Sequence, residues 1–173
     1  MFTLSTHIEL PIAHRLPEAY SGLCVGNIGR DPKYNFPKDE LGIVHGHNYN
    51  ITFKVSTYKM NKDFMVMDFK QIKKIIHEEM DKYDHALILK KGDALIDFYA
   101  DEYKKRNIDI EDTRLFIWDE APTAEYMSYY WWNIFVKRFK HEGIDVCKLA
   151  ITVEETSHNS VTYESDCVTV EDA

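Results

Sequence analysis

The chain lacks any apolar run approaching the length of a membrane span. Its opening residues, MFTLSTHIELP, also lack a basic stretch followed by a long apolar one. Neither a membrane helix nor a secretory leader is therefore expected, and the cytoplasm is the expected location. Cysteine is scarce, with three residues (Cys24, Cys147 and Cys167), an odd number that argues against a disulfide framework and leaves room for a working thiol. Basic residues are in the minority, 21 Lys and Arg against 29 Asp and Glu, for a formal net charge of −8. That balance sets aside bulk binding to nucleic acid or to an anionic membrane, both of which rely on basic patches. A small anionic substrate stays open, through a local basic cluster or a metal's charge. Internal repeats and low-complexity segments are absent as well. What is present is 173 residues, 45% hydrophobic and 13% aromatic, which predicts one folded domain over residues 1–173 with a real core.

Residues 2–14 read as a strand, with Leu4, Ile8, Leu10, Ile12 and His14 in one phase. Pro11 cannot donate to a ladder and predicts an edge or a bulge there. Residues 15–42 are rich in Gly, Pro, Asn and Asp, show neither period, and read as a long loop. The clearest alternation spans residues 43–56: Ile43, His45, His47, Tyr49, Ile51, Phe53 and Val55 share one face. That is a half-buried antiparallel strand with histidines on its apolar side. A helix then follows Asp68, with Phe69, Ile72, Ile76, Met80 and Tyr83 as its buried stripe. A shorter helix is expected at 93–105 and an extended piece at Arg114–Trp118. Pro122 and Thr123 open a second long helix, turning Ala124, Met127, Trp131, Ile134 and Phe135 inward and ending before Gly143. Cys147, Leu149, Ile151, Val153 and Glu155 alternate on a further strand, with Val161, Tyr163 and Ser165 on its hairpin partner. The order predicts an α+β layout with helices on one face of an antiparallel sheet.

His45 and His47 lie two apart on a strand, so both imidazoles project to one side. Gly46 between them permits close backbone approach, and His14 on the neighbouring strand would supply a third ring. Three neutral imidazoles with an open fourth position describe a catalytic zinc site. A His-x-His pair alone also fits a buried hydrogen-bonded pair. On an apolar face, however, unpaired imidazoles are costly to bury, which favours the metal. Glu155 shares its phase with Leu149, Ile151 and Val153, while Glu154 faces the other way. A carboxylate on the core face is either salt-bridged or anchors a ligand through a forked pair of N–H donors. Asp84 and His85 close a helix; they fit either an interaction with the helix dipole or an acid/base histidine oriented by its neighbour. Cys24 fits either a small buried residue or a reactive thiol.

Together these residues resemble the 6-pyruvoyl-tetrahydropterin synthase and 6-carboxytetrahydropterin synthase family. The matching pieces are Ala13-His14-Arg15-Leu16, Cys24, His45-Gly46-His47-Asn48-Tyr49, Met67-Asp68-Phe69, Tyr83-Asp84-His85, Pro122-Thr123-Ala124-Glu125 and Glu155-Thr156. They fall in the family's order over roughly residues 6–165. The resemblance implies the tunnelling fold, a four-stranded antiparallel sheet with helices between strands two and three. Three such sheets close into a barrel and two trimers stack into a homohexamer, with active sites at subunit interfaces. It implies zinc held by His14, His45 and His47, catalytic roles for Cys24, Asp84 and His85, and a pterin anchor at Glu155. Two insertions depart from typical members, at about 25–42 and 90–112. The first separates Cys24 from His45 and makes Glu40 a rival, since some relatives carry a glutamate just before His-Gly-His.

The implied function is a zinc-dependent lyase acting on 7,8-dihydroneopterin triphosphate and eliminating triphosphate. The expected product is 6-carboxytetrahydropterin, in the route to queuosine-type deazapurines, with the pyruvoyl product of biopterin synthesis as the alternative. Outside that class stand a zinc-dependent hydrolase and a non-catalytic pterin-binding module.

Overall fold

Strict alternation in the two N-terminal strands turns into one long antiparallel pair. The protein is described here by a computed structural model that covers residues 1–16 and 44–167. Nearly all of the expected 15–42 loop, with Cys24 and Glu40, lies outside the described residues. Strand β1 (Phe2–His14) pairs with β2 (His45–Thr57) along its full length, from Phe2 opposite Thr57 to His14 opposite His45. Leu4, Ile8, Leu10 and Ile12 meet Val55, Ile51, Tyr49 and His47 on the buried face.

The remaining elements are α1 (Phe69–Met80), β3 (Ala86–Lys90), α2 (Ala94–Lys105), β4 (Leu115–Trp118), α3 (Ala124–His141), β5 (Lys148–Thr156) and β6 (Asn159–Asp166). Six strands form one sheet in the order β4-β3-β1-β2-β5-β6. This corrects the four-stranded antiparallel sheet implied by the resemblance: β3 and β4 are additional, and both run parallel to β1. The five-residue run Ala86–Lys90 is too short and too uniformly apolar for its period to distinguish a strand from the end of a helix. The β3–α2–β4 crossover lies where the second insertion was expected.

Pro11 sits where β3 begins. Its carbonyl accepts the His85 N–H at 2.8 Å. Both polar groups of a strand residue point to the same side, so the missing N–H of Pro11 also faces β3, and the β1–β2 ladder loses nothing. Among the described residues, β3 pairs with β1 only at Ile12–His14, leaving the rest of that β1 edge unpaired.

The helices begin where short polar side chains can take up free N–H groups. Asp68 accepts from Lys70 N–H at 2.8 Å, Asp93 from Leu95 N–H at 2.9 Å, and Thr123 from Tyr126 N–H at 3.2 Å. Helix α1 buries Ile72, Ile75, Ile76 and Met80. Phe69, expected in that stripe, stands at the first helical position and is exposed, and Ile75 takes a buried place instead. Helix α3 buries Met127, Trp131, Phe135 and Phe139, while Ile134 is half-buried. Gly143, with φ of +69°, supplies the left-handed residue that follows α3. Phe135 stacks edge-on against Phe53 of β2 at 4.8 Å between ring centroids, and Trp131 packs against Tyr83 and Trp118. Burying each such ring contributes about 2–3 kcal/mol. These contacts fix α3 against the sheet and thereby fix the residues at its N-terminus.

Candidate metal centre and active site

His14 ends β1 and His45 and His47 begin β2, so the register that pairs the strands also gathers the three rings. His14 lies opposite His45 and Ile12 opposite His47, all on the buried face. Ring centroids are 4.5 Å apart for His14 and His45, 5.5 Å for His14 and His47, and 5.1 Å for His45 and His47. Gly46 permits this spacing: a Cβ there would stand 3.2 Å from the Ile12 carbonyl oxygen. A larger residue would push β2 away from β1 beside the rings.

The tautomer of His14 is set from outside the cluster. Its Nδ1 lies 2.7 Å from the Pro122 carbonyl, just ahead of α3, so Nδ1 carries the proton and Nε2 offers a lone pair. That Nε2 is 3.0 Å from Nε2 of His45. Burial holds the pKa of His14 below the ordinary imidazole value; the Pro122 carbonyl opposes this, while the neighbouring His45 and His47 add to it. His14 is therefore neutral at physiological pH, as a metal ligand must be. Among the described residues, Nε2 of His47 is buried without a hydrogen-bond partner. A buried imidazole nitrogen left in that state beside two other histidine rings fits a bound cation.

Glu155 comes to the same place from β5. It shares the face of Leu149, Ile151 and Val153, and it lies at the register shift that the β5–β6 ladder makes between Glu154 and Thr156. Oε1 of Glu155 lies 3.5 Å from Nε2 of His14 and 3.5 Å from Nε2 of His47. One ligand atom from each of His14, His45, His47 and Glu155 falls within 4.8 Å of all the others, a group that could hold a metal ion. Glu154 turns away and accepts from Asn50 Nδ2 at 3.1 Å.

Tyr49 belongs to this cluster and was not singled out from sequence. It is fully buried, and its hydroxyl donates to Glu155 Oε1 at 3.3 Å and stands 3.2 Å from His14 Nε2. Burial and the Glu155 carboxylate both push its pKa far up, so it remains a phenol. The signal was present in the alternation: a hydroxyl on an apolar face, two residues beyond His47.

Asp84 and His85 do not join the cluster within one chain. Ala86 pairs with Ile12, and His85, which precedes β3, is exposed. It lines a hollow of about 310 Å³ together with Pro11, Ala13, Gly46, Asn48 and His47. His85 has a φ of +57°, unusual for a residue with a side chain. Its Nδ1 is 3.0 Å from Asp84 Oδ1, which leaves Nε2 facing solvent, and Arg114 donates to the Asp84 carbonyl. Cys24 and Glu40 lie outside the described residues.

A sequence profile of the family described as 6-pyruvoyl tetrahydropterin synthase matches residues 3–166. A Methanocaldococcus jannaschii protein provisionally named 6-carboxy-5,6,7,8-tetrahydropterin synthase is 32% identical over 116 residues, covering 62% of this chain and 71% of that protein. The 6-carboxy-5,6,7,8-tetrahydropterin synthase of Aquifex aeolicus is 23% identical over 132 residues, or 75% of this chain and 79% of its own. Among solved structures, a Plasmodium vivax 6-pyruvoyltetrahydropterin synthase, described as a catalytic-residue variant with glutamate replaced by alanine, superposes with a TM-score of 0.60. It is 14% identical, and the match covers 96% of this chain and 99% of that one. With the profile running through nearly every element from β1 to β6, the chain belongs to the 6-pyruvoyl tetrahydropterin synthase family.

Proposed function

We propose that the protein is a zinc-dependent lyase that converts 7,8-dihydroneopterin triphosphate and one water into 6-carboxytetrahydropterin, releasing triphosphate and acetaldehyde, in the route to queuosine-type deazapurines. The observation that carries this reading is the convergence of three imidazole nitrogens and one carboxylate in a chain of this family. Relatives named for the carboxy product support that product over the pyruvoyl one. The family description and the Plasmodium neighbour's name keep the pyruvoyl product as the second reading.

His14, His45 and His47 would hold the zinc, which when bound supplies Lewis-acid polarisation of the substrate's side-chain hydroxyls. The Pro122 carbonyl keeps His14 in the tautomer that presents Nε2. Glu155 accepts hydrogen bonds from the pterin's amino group and ring N–H, a forked pairing a carboxylate can make. Cys24 takes the side-chain proton, with Glu40 as its rival; the catalytic glutamate of the Plasmodium vivax neighbour supports keeping that rival. His85, oriented by Asp84, moves protons during tautomerisation.

The active assembly is a homohexamer, a dimer of trimers, whose sites lie between subunits. Two features support it: the β1 edge left unpaired among the described residues, and the absence of Asp84 and His85 from the group of His14, His45, His47 and Glu155 that could hold a metal. A neighbouring copy would supply the His85 that one chain cannot bring to its own cluster. The chain acts as one domain with insertions at about 25–42 and 90–112, in the cytoplasm. No described helix is long and apolar enough to cross a membrane. Incubation with dihydroneopterin triphosphate, followed by mass analysis of the pterin and assay of released triphosphate, tests the reading.

A further inference from the structure

We propose that Glu155 is the metal's fourth ligand in the substrate-free protein and that Tyr49 is the positioning residue that holds it there. The pterin must then draw the carboxylate away as it binds. This rests on the zinc and pterin reading above, and gives Glu155 a second role in the same site.

Four ligands at tetrahedral angles, with bonds of about 2.0–2.1 Å, stand about 3.3–3.4 Å from one another. Oε1 of Glu155 is 3.5 Å from Nε2 of His14 and 3.5 Å from Nε2 of His47, and Nε2 of His14 is 3.0 Å from Nε2 of His45. A carboxylate that met only one ring from outside would not be equidistant from two. Glu155 reaches this vertex from the face of β5 that carries Ile151 and Val153, whereas Glu154 beside it is tied to Asn50.

Tyr49 accounts for why the carboxylate stays. Its hydroxyl has two acceptors in reach, Nε2 of His14 at 3.2 Å and Oε1 of Glu155 at 3.3 Å. Once the Nε2 lone pair is engaged by a cation, the hydroxyl proton has only Oε1 left. An anionic oxygen can accept that bond and ligate at the same time. The carboxylate also offsets one of the cation's two charges beside the buried His14 and Tyr49, where an uncompensated charge is costly.

When a pterin arrives, its amino and ring N–H groups compete for the same two oxygens. Glu155 leaves the ligand set, accepts those donors, and vacates the position that the substrate hydroxyls need. Ligation thus closes the site to water in the resting protein and opens it only for a molecule that carries the right donors.

The test uses cobalt(II)-substituted protein, whose visible spectrum reports the ligand set, and needs no turnover. A metal-bound water in such a site ionises near neutral pH, with a pKa of about 7 on zinc. Wild type should show no spectral titration between pH 6 and 9, because no water is bound. Glu155→Gln should gain one, and Glu154→Gln should behave as wild type. Tyr49→Phe, which keeps the buried ring, should move the wild-type spectrum toward that of Glu155→Gln. A wild-type protein that already titrates as Glu155→Gln does overturns the fourth-ligand role; a Tyr49→Phe spectrum identical to wild type overturns the role of Tyr49. Neopterin, followed by its fluorescence, separates the underlying reading from this one. Binding that shifts the wild-type cobalt spectrum supports the exchange, and binding that leaves it unchanged overturns it. If neopterin does not bind while the fourth-ligand signatures hold, the pterin reading and the exchange fail and the ligation stands.

Discussion

His14 and His45 face each other across β1 and β2 with their Nε2 atoms 3.0 Å apart, while Nδ1 of His14 is committed to the Pro122 carbonyl. His14 therefore brings a lone pair to that meeting, and something positive must lie between the two nitrogens, either a proton on His45 or a shared cation. The orphaned Nε2 of His47 favours the cation. We expect about one zinc per chain by metal analysis. His45→Ala should lose most of it, and full retention would sink the assignment.

Glu155 and Glu154 differ by one residue and face different partners, one the histidine cluster and the other Asn50. Charge-assisted hydrogen bonds are worth about 1.5–3 kcal/mol each. Glu155→Ala should therefore weaken pterin binding by about tenfold to a hundredfold or more. Glu154→Ala should leave it within about twofold. Equal effects in a fluorescence titration would show that the anchor is misplaced.

Arg15 and Asp93 form a buried ion pair at 2.5 Å that joins the residue after His14 to the start of α2. Removing one partner leaves an uncompensated buried charge, which costs about 3–5 kcal/mol. Asp93→Asn should lower the urea midpoint accordingly at unchanged slope. A cost near zero would mean that the Arg15 guanidinium finds water in the variant.

Burial holds the pKa of His14 below the ordinary 6.5, so the folded, metal-free protein resists protonation there and the unfolded chain does not. Between those two values the unfolded state binds more protons, and stability falls as pH drops. Metal-free protein should therefore lose stability as pH falls below about 6.5, and the loss should level off below the folded value. His14→Gln should remove that part of the slope, and an unchanged slope in urea denaturation would contradict it.

Much of this was legible in the sequence, for physical reasons that differ by element. The alternation in β1 and β2 fixed which residues share a face, and pairing then brought His14 opposite His45. Short polar residues marked the starts of α1 and α3. The extended piece expected at Arg114–Trp118 is β4, but β3 and the parallel pairing of the two were not legible, because a brief apolar run carries no period and parallel pairing depends on distant partners. Tyr49 shares the apolar face of the histidines in the alternation, but the partners of its hydroxyl, His14 and Glu155, come together only once β1 and β5 are laid on either side of β2. The exposure of His85 goes with a left-handed backbone at a position that spacing does not mark. The placement of Cys24 and Glu40 falls outside the described residues, and the choice of base rests on the paired variants Cys24→Ala and Glu40→Gln.

The β1 edge left unpaired among the described residues and the position of His85 outside the histidine–glutamate group make the same demand on assembly. Light scattering at micromolar concentration should give a mass near six chains, and a stable monomer would contradict a shared site.

The reaction itself is open to measurement. Zinc-loaded protein is incubated with 7,8-dihydroneopterin triphosphate and the pterin products are resolved by mass spectrometry. 6-Carboxytetrahydropterin should form with one triphosphate released per pterin consumed, and that product should be lost in the His45→Ala variant. Unchanged substrate, with zinc bound and the assembly intact, would contradict it.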